Sequence, residues 1–353
     1  MSMLTRNEGL TIAAGIAATV LAGILTYAGA GAVLVFFVSG VALAILAALV
    51  GAATEQLGAR LGPAATGILQ SALGNLPELF VGIFSLRAGL IEVVQAALVG
   101  SILGNSLLVL GLAFLVGGLR NGTQRFASEP PRMIATLMLL AVAALLVPTL
   151  AQRIHTPAGA HADALSFACA LVLLIVFIAS IPVSLSSDPT VQAGGEAHGA
   201  LWPLWLSAAV LTVAGVGSAL VSDWFVEALR PAIAALHISE AFTGLVIVAI
   251  AGNAVENVVG IQLAARNKTD YAISVILNSS LQVALALTPV LVLLSFVIGS
   301  THLTLVLPPL LVAALSLATL SSTFIVYDGE SIWLEGVALV GLYSIIAASF
   351  WWG

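Results

Sequence analysis

"GNLPELFVGI", residues 74–83, sets an amide, a proline and a carboxylate into a run of Gly, Leu, Phe, Val and Ile. "GNAVENVVGI", residues 252–261, does the same. Gly74, Asn75 and Glu78 recur as Gly252, Asn253 and Glu256, each 178 positions further on. The offset holds without a gap from Gly74 to Leu107. It aligns Glu92 with Asp270, Ser101 with Ser279, Leu103 with Leu281 and Leu107 with Leu285. Internal duplication of this kind marks a transporter built from two related halves.

The surroundings of the two motifs fix the solvent. Of 353 residues, 61% are hydrophobic and 7% charged; the mean hydropathy is +1.17. Soluble domains carry roughly a quarter charged residues, so the chain reads as an all-α polytopic membrane protein with the lipid bilayer as its surroundings. The formal charge of −6 includes no basic run, and no nucleic-acid partner is expected. The single cysteine, Cys169, lies in an apolar stretch and has no partner for an intrachain disulfide. The apolar runs are continuous, not alternating, which selects helices over a barrel. A spanning helix needs roughly 20 apolar residues. Eleven spans are predicted, at about 9–28, 31–52, 62–86, 92–118, 132–151, 163–185, 201–229, 240–265, 270–298, 302–324 and 331–352. Turn chemistry separates them, as in "ARNKTD" and "VYDGES".

The polar stretch "SSDPTVQAGGEAHG" divides the chain near its middle. The expected organisation is an N-terminal helix over 1–30, a five-helix repeat over 31–185, a linker over 186–200 and a second five-helix repeat over 201–353. The first apolar run lacks a cleavage site and is expected to be an uncleaved span. With the N-terminus in the cytoplasm, Arg6, Arg60, Arg120, Arg125, Arg132, Arg266 and Lys268 fall inside, and Arg87, Arg153 and Arg230 outside. That bias favours N-in and C-out. Trp202, Trp205, Trp351 and Trp352 fall where interfacial aromatics are expected. The Ala/Gly-rich spans and the lack of targeting signals suggest a prokaryotic cytoplasmic membrane.

Five spans separate the motifs, so they cross in opposite directions. An inverted repeat brings both towards the midplane. A carboxylate there costs roughly 2.5–3.5 kcal/mol on insertion scales and usually marks an ion or proton path. Two facing carboxylates repel unless a divalent cation or protons neutralise them. Asn and Glu three positions apart share a helix face. That face offers Glu78, Glu256, Asn75 and Asn253 as oxygen donors, beside carbonyls freed where Gly74, Pro77 and Gly252 loosen the helix. Oxygen donors without His or Cys suit calcium and its relatives. When the metal leaves, protons take its place. Calcium and protons are therefore expected as transported ions, with no cofactor. The partner helices add Gln95, Ser101 and Asn105 in one repeat and Ser279 and Gln282 in the other; Asn257 follows the second Glu. Gly100 and Gly104 form a GxxxG spacing suited to close helix packing.

These residues resemble the calcium/proton exchangers, the CAX-type branch of the calcium/cation antiporter superfamily. "GNLPEL", "GLIEVVQAALVGSILGNSLLVLGLAF" and "GNAVENVVGIQLAARNKTD" look like its two signature regions. The resemblance implies eleven spans, proton-driven calcium export, a shared ion site at Glu78 and Glu256, and a gating role for the first span. Three features depart from the family pattern. Asn257 stands where a His is common, Pro77 resembles the sodium/calcium exchanger branch, and Asn278 stands where a Gly is usual. Sodium/calcium exchange is the alternative reading.

Glu55 and Asp223, each about one span before a motif, serve either ion access or solvated helix ends. Glu92 and Asp270 begin their helices, where the dipole favours acids. Asp328 and Glu330 belong to a polar turn. The five histidines fall at loops or helix ends without metal-ligand spacing. No GxSxG, HExxH or GxGxxG motif stands in a catalytic context, so no enzyme is expected.

Overall fold

The computed structural model describes residues 4–61, 73–127, 129–186, 202–298 and 301–352, with the side chains of residues 61, 129, 130, 182–186, 255 and 256 outside that set. The described residues are helical apart from connecting turns, one extended segment and one two-stranded ladder. Eight helices among them are long and apolar enough to cross a membrane, and a bent pair makes a ninth. The helix of residues 333–349 is shorter, and the first part of the predicted 62–86 span lies outside the described residues. The chain divides into two compact units that do not coincide with the sequence repeats, because each unit draws on both.

The first unit takes residues 1–88, 180–237 and 251–255. It holds α1 (Arg6–Tyr27), α2 (Ala32–Leu61), α3 (Leu76–Arg87) and, further along the chain, the long helix of Leu204–Leu236. A capping box starts α1: Glu8 and Thr5 satisfy each other's first-turn backbone donors. Small residues seat α1 on its neighbours. A Cβ at Gly15 would stand 2.6 Å from Leu49, and one at Gly23 2.9 Å from the Trp224 ring. Phe36 and Phe225 stack at 4.8 Å between α2 and the 204–236 helix. Trp202, which the sequence places among the interfacial aromatics, is 1% exposed within the protein. Its indole N–H donates to Glu8 at 3.0 Å, its backbone N–H to Gln56 at 3.0 Å, and Arg60 donates to its carbonyl. Each polar end of the ring and backbone finds a partner, so burial carries no desolvation debt.

The second unit takes the remaining segments. In chain order its first helices are α4 (Ile91–Leu103), α5 (Leu110–Asn121), α6 (Glu129–Arg153) and α7 (Ala162–Ser186), whose last residues fall in the first unit. With the 204–236 helix as α8, there follow α9 (Glu240–Gly252), α10 (Ala254–Ala265), α11 (Thr269–Gln282), α12 (Thr288–Ile298), α13 (Pro309–Tyr327) and α14 (Trp333–Ser349). Strands β1 (Gln124–Arg125) and β2 (Glu330–Ser331) pair antiparallel and join two loops that the charge bias puts on one side. Arg125 and Glu330 also form an exposed ion pair at 3.1 Å.

One predicted span begins late. Helix was expected from residue 302, but α13 starts at Pro309. Residues 302–307 run extended, with Leu303, Leu305 and Leu307 buried. Side chains from four helices satisfy this backbone. Ser295, Ser166 and Thr149 accept the N–H groups of Leu303, Leu305 and Leu307 at 2.8, 2.9 and 2.8 Å. Gln95 donates to the carbonyls of Thr304 and Val306 at 2.8 and 3.1 Å. Non-helical backbone is tolerated at membrane depth only where protein supplies such partners.

Candidate ion site

The first motif starts a helix instead of lying inside one. Gly74 and Asn75 form a turn, and α3 begins at Leu76 with Asn75 as its N-cap. Pro77 sits in the first turn, where a missing N–H costs nothing. This replaces the shared-face expectation: Asn75 stands just outside the helix and Glu78 at its third position. The N-terminal end of a helix carries positive partial charge, which favours a carboxylate by about 0.3–1 kcal/mol, up to about 2 when partly buried. The second motif repeats the device. Asn253 is a turn residue, α10 begins at Ala254, and α9 and α10 are bent by 62° across the break. Glu256 therefore stands in the first turn of α10; its side chain lies outside the described residues.

The two motifs meet within the first unit. Asn253 donates its amide to Glu78 Oε1 at 2.7 Å, and both side chains are buried. Gly252 makes the approach possible. A Cβ there would lie 2.5 Å from Glu78 Cγ and 2.8 Å from Oε1. The sequence paired these motifs by spacing, and the hydrogen bond joins an amide of the second to the carboxylate of the first.

The partner helices belong to the second unit. Between α4 and α5 the chain makes a π-helical turn at Gly104–Val109; between α11 and α12 it makes another at Val283–Leu287. The 178-residue offset superposes these turns, so the duplication extends into backbone geometry. Such π-turns often accompany functional sites. A third, Thr243–Val248, lies in α9 ahead of the second motif. Asn105 donates to Ser279 Oγ at 2.9 Å, and the hydroxyls of Ser106 and Ser280 stand 3.2 Å apart, all four residues being buried. Sequence reasoning picked Asn105 and Ser279 and missed Ser106, whose signal was its place beside Asn105 in "LGNSLL".

The other candidates have diverse places. Ser101 is buried, Gln282 is half-buried, and Gln95 spends its amide hydrogens on the extended segment. Asn257 Oδ1 is buried and accepts no hydrogen bond among the described residues. Glu55 and Asp223 are exposed on α2 and α8, and Glu227, which the sequence reading passed over, is exposed one turn beyond Asp223. Glu92 is exposed at its helix start. Asp270 does more than begin a helix: it accepts the backbone N–H of Ala127 at 2.6 Å. Gly100 serves the packing expected of it, since a Cβ would strike the Leu245 backbone, whereas Gly104 meets nothing within 4 Å.

A model of the sodium/calcium exchanger protein family matches residues 31–185 and 206–352. The chain belongs to that family. Within it, a Ca(2+)/H(+) antiporter of Synechocystis sp. is 37% identical over 344 residues, covering 91% of this chain and 92% of the relative. The Ca(2+)/H(+) antiporter ChaA of Bacillus subtilis is 32% identical, covering 97% of each chain. Among solved structures, the selenium-substituted Ca2+/H+ antiporter protein YfkE superposes with a TM-score of 0.82 at 30% identity, covering 98% of this chain and 99% of the other. The all-helical exchanger fold and the resemblance drawn from the two motifs therefore hold over nearly the whole chain.

Proposed function

We propose that this family member exports Ca2+, or a related divalent cation, from the cytoplasm in exchange for H+, by alternating access and without enzymatic activity. The observation that carries the reading is the buried hydrogen bond from Asn253 to Glu78. It brings the amide of one motif to the carboxylate of the other, as an inverted repeat with a shared site requires. The names of the full-length relatives favour protons over sodium as the coupling ion.

In this reading the cation is substrate. Glu78 and Glu256 supply the charge, and Asn75 and Asn253 supply neutral oxygens. The first-turn placement of both glutamates stabilises their charged forms. Protons arriving from the outside bind the carboxylates and release the cation, and the protonated site then turns inwards and discharges. Ser101, Asn105, Ser279, Gln282 and Asn257 line the path or orient its ligands, and Gln95 shapes it through the extended segment. Glu55 and Asp223 attract cations at either end. The duplicated halves, 31–185 and 201–353, rock about the site, with residues 1–30 as a gating helix. The protein sits in the cytoplasmic membrane of a prokaryote, N-terminus inside and C-terminus outside.

Calcium uptake into proteoliposomes, driven by a proton gradient, tests this directly. Proton-driven uptake is expected in the wild type, with background rates in Glu78→Gln and Glu256→Gln. Uptake driven by sodium alone would reassign the coupling ion.

A further inference from the structure

Within the first unit, α1 meets its neighbours at points spread along its whole length. At its start, Glu8 takes the indole N–H of Trp202 at 3.0 Å. Further along, a Cβ at Gly15 would reach Leu49 of α2 at 2.6 Å. Thr19 stands beside α8, where a Cβ at Gly217 would lie 3.9 Å from its Oγ1. A Cβ at Gly23 would stand 2.9 Å from the Trp224 ring, and Tyr27 meets the same ring edge-on, with centroids 6.0 Å apart. Gly15, Thr19 and Gly23 recur every four residues, the small-residue spacing that lets helices in lipid approach closely. Only Gly15, Ala22 and Gly23 of the helix are buried. The contact is thus one narrow stripe, pinned by a tryptophan near each end.

We infer that α1 keeps a fixed place on α2 and α8 through the transport cycle, so that residues 1–30 gate only as part of that body and not as a helix moving by itself. The inference rests on the alternating-access exchange proposed above and names what its gating helix travels with. The stripe is keyed in register. A slide of one turn, about 5.4 Å, would put Thr19 or Tyr27 in the place of Gly23, where even a Cβ stands 2.9 Å from the Trp224 ring. The same slide would draw Glu8 away from the Trp202 indole and leave a buried donor unpaired, which is costly. Lifting α1 away sideways forfeits the packing of all three small residues. In lipid no hydrophobic gain offsets such a loss, because the acyl chains are as apolar as the helices they surround.

The test uses the full chain in proteoliposomes, with Cys169→Ser as background. Thr19→Cys with Gly217→Cys places two thiols at a separation that a disulfide spans. Cross-linking them by oxidation is expected to leave proton-driven calcium uptake within about twofold of the reduced protein, since a bond between parts that do not move apart costs the cycle nothing. Uptake that falls at least tenfold on oxidation and returns on reduction overturns the inference. A second measurement needs no substitution inside the stripe. Leu10 and Leu220 are 60% and 50% exposed, and spin labels at Leu10→Cys and Leu220→Cys report the distance between α1 and α8 by double electron–electron resonance. That distance is expected to change by less than about 2 Å between pH 8 with calcium and pH 5.5 without it, whereas a change approaching one helical turn, about 5 Å, overturns the inference. A wild type that takes up no calcium under a proton gradient is the separate signature of a wrong exchange reading.

Discussion

Glu78 is held by the geometry of two helix starts. Its carboxylate takes the Asn253 amide at 2.7 Å, and Gly252 leaves just enough room for it. Removing a donor to a buried charged group costs about 1.5–3 kcal/mol. Asn253→Ala is therefore expected to weaken calcium affinity roughly tenfold to a hundredfold, measured by isothermal titration. Gly252→Ala drives a methyl into Glu78 and should lower stability by about 1–3 kcal/mol as well as calcium affinity. A fully active, fully stable Gly252→Ala protein would show that the approach is not as close as 2.5 Å. The identity of these residues was legible in the sequence, because a carboxylate and an amide duplicated at fixed spacing in apolar runs have few structural explanations. Their local conformation was not. Periodicity alone puts Asn75 and Glu78 on one helix face, and only the turn at Gly74–Asn75 shows that each motif begins a helix.

At the scale of elements, close helix crossings and side-chain clamps on irregular backbone do the positioning. Gly100 lies against the Leu245 backbone, which cannot yield, while Gly104 has open space. Gly100→Ala should destabilise by about 1–3 kcal/mol, whereas Gly104→Ala should be neutral or gain up to about 1 kcal/mol of helix propensity; melting temperatures of the two compare them directly. The extended segment of residues 302–307 depends on Gln95, which serves two carbonyls. Gln95→Leu leaves both without their donor and should raise hydrogen exchange at residues 303–307 at least tenfold. The sequence hid this segment. Its leucines read as one more apolar run, and nothing local reveals that Ser295, Ser166, Thr149 and Gln95 come from four other places to satisfy its backbone. The π-turns were equally hidden, because no residue pattern demands them. Their recurrence at the same offset shows that duplication preserved a backbone shape where it changed the side chains.

For the whole molecule, hydrophobicity made the class plain and charge bias made the orientation a definite expectation. Contacts within each unit join chain ends that alternate crossing would put on one side: β1 with β2, and Trp202 with Glu8 and Arg60. With the single Cys169 replaced by Ser, a cysteine at Trp352 should react with an impermeant maleimide in intact cells, and one at Arg125 only after permeabilisation. The reverse pattern would invert the proposed direction of export. The compact units were not legible from the repeat, because packing groups α2 with α8 across the halves while duplication groups residues along the chain.

The central claim is that Glu78 and Glu256 carry calcium and protons in alternation. The measurement that tests it most directly is calcium uptake into proteoliposomes under an imposed proton gradient, with wild type, Glu78→Gln and Glu256→Gln side by side. The account predicts uptake in the wild type and background rates in both variants. Exchange persisting at wild-type rate in either variant would contradict it.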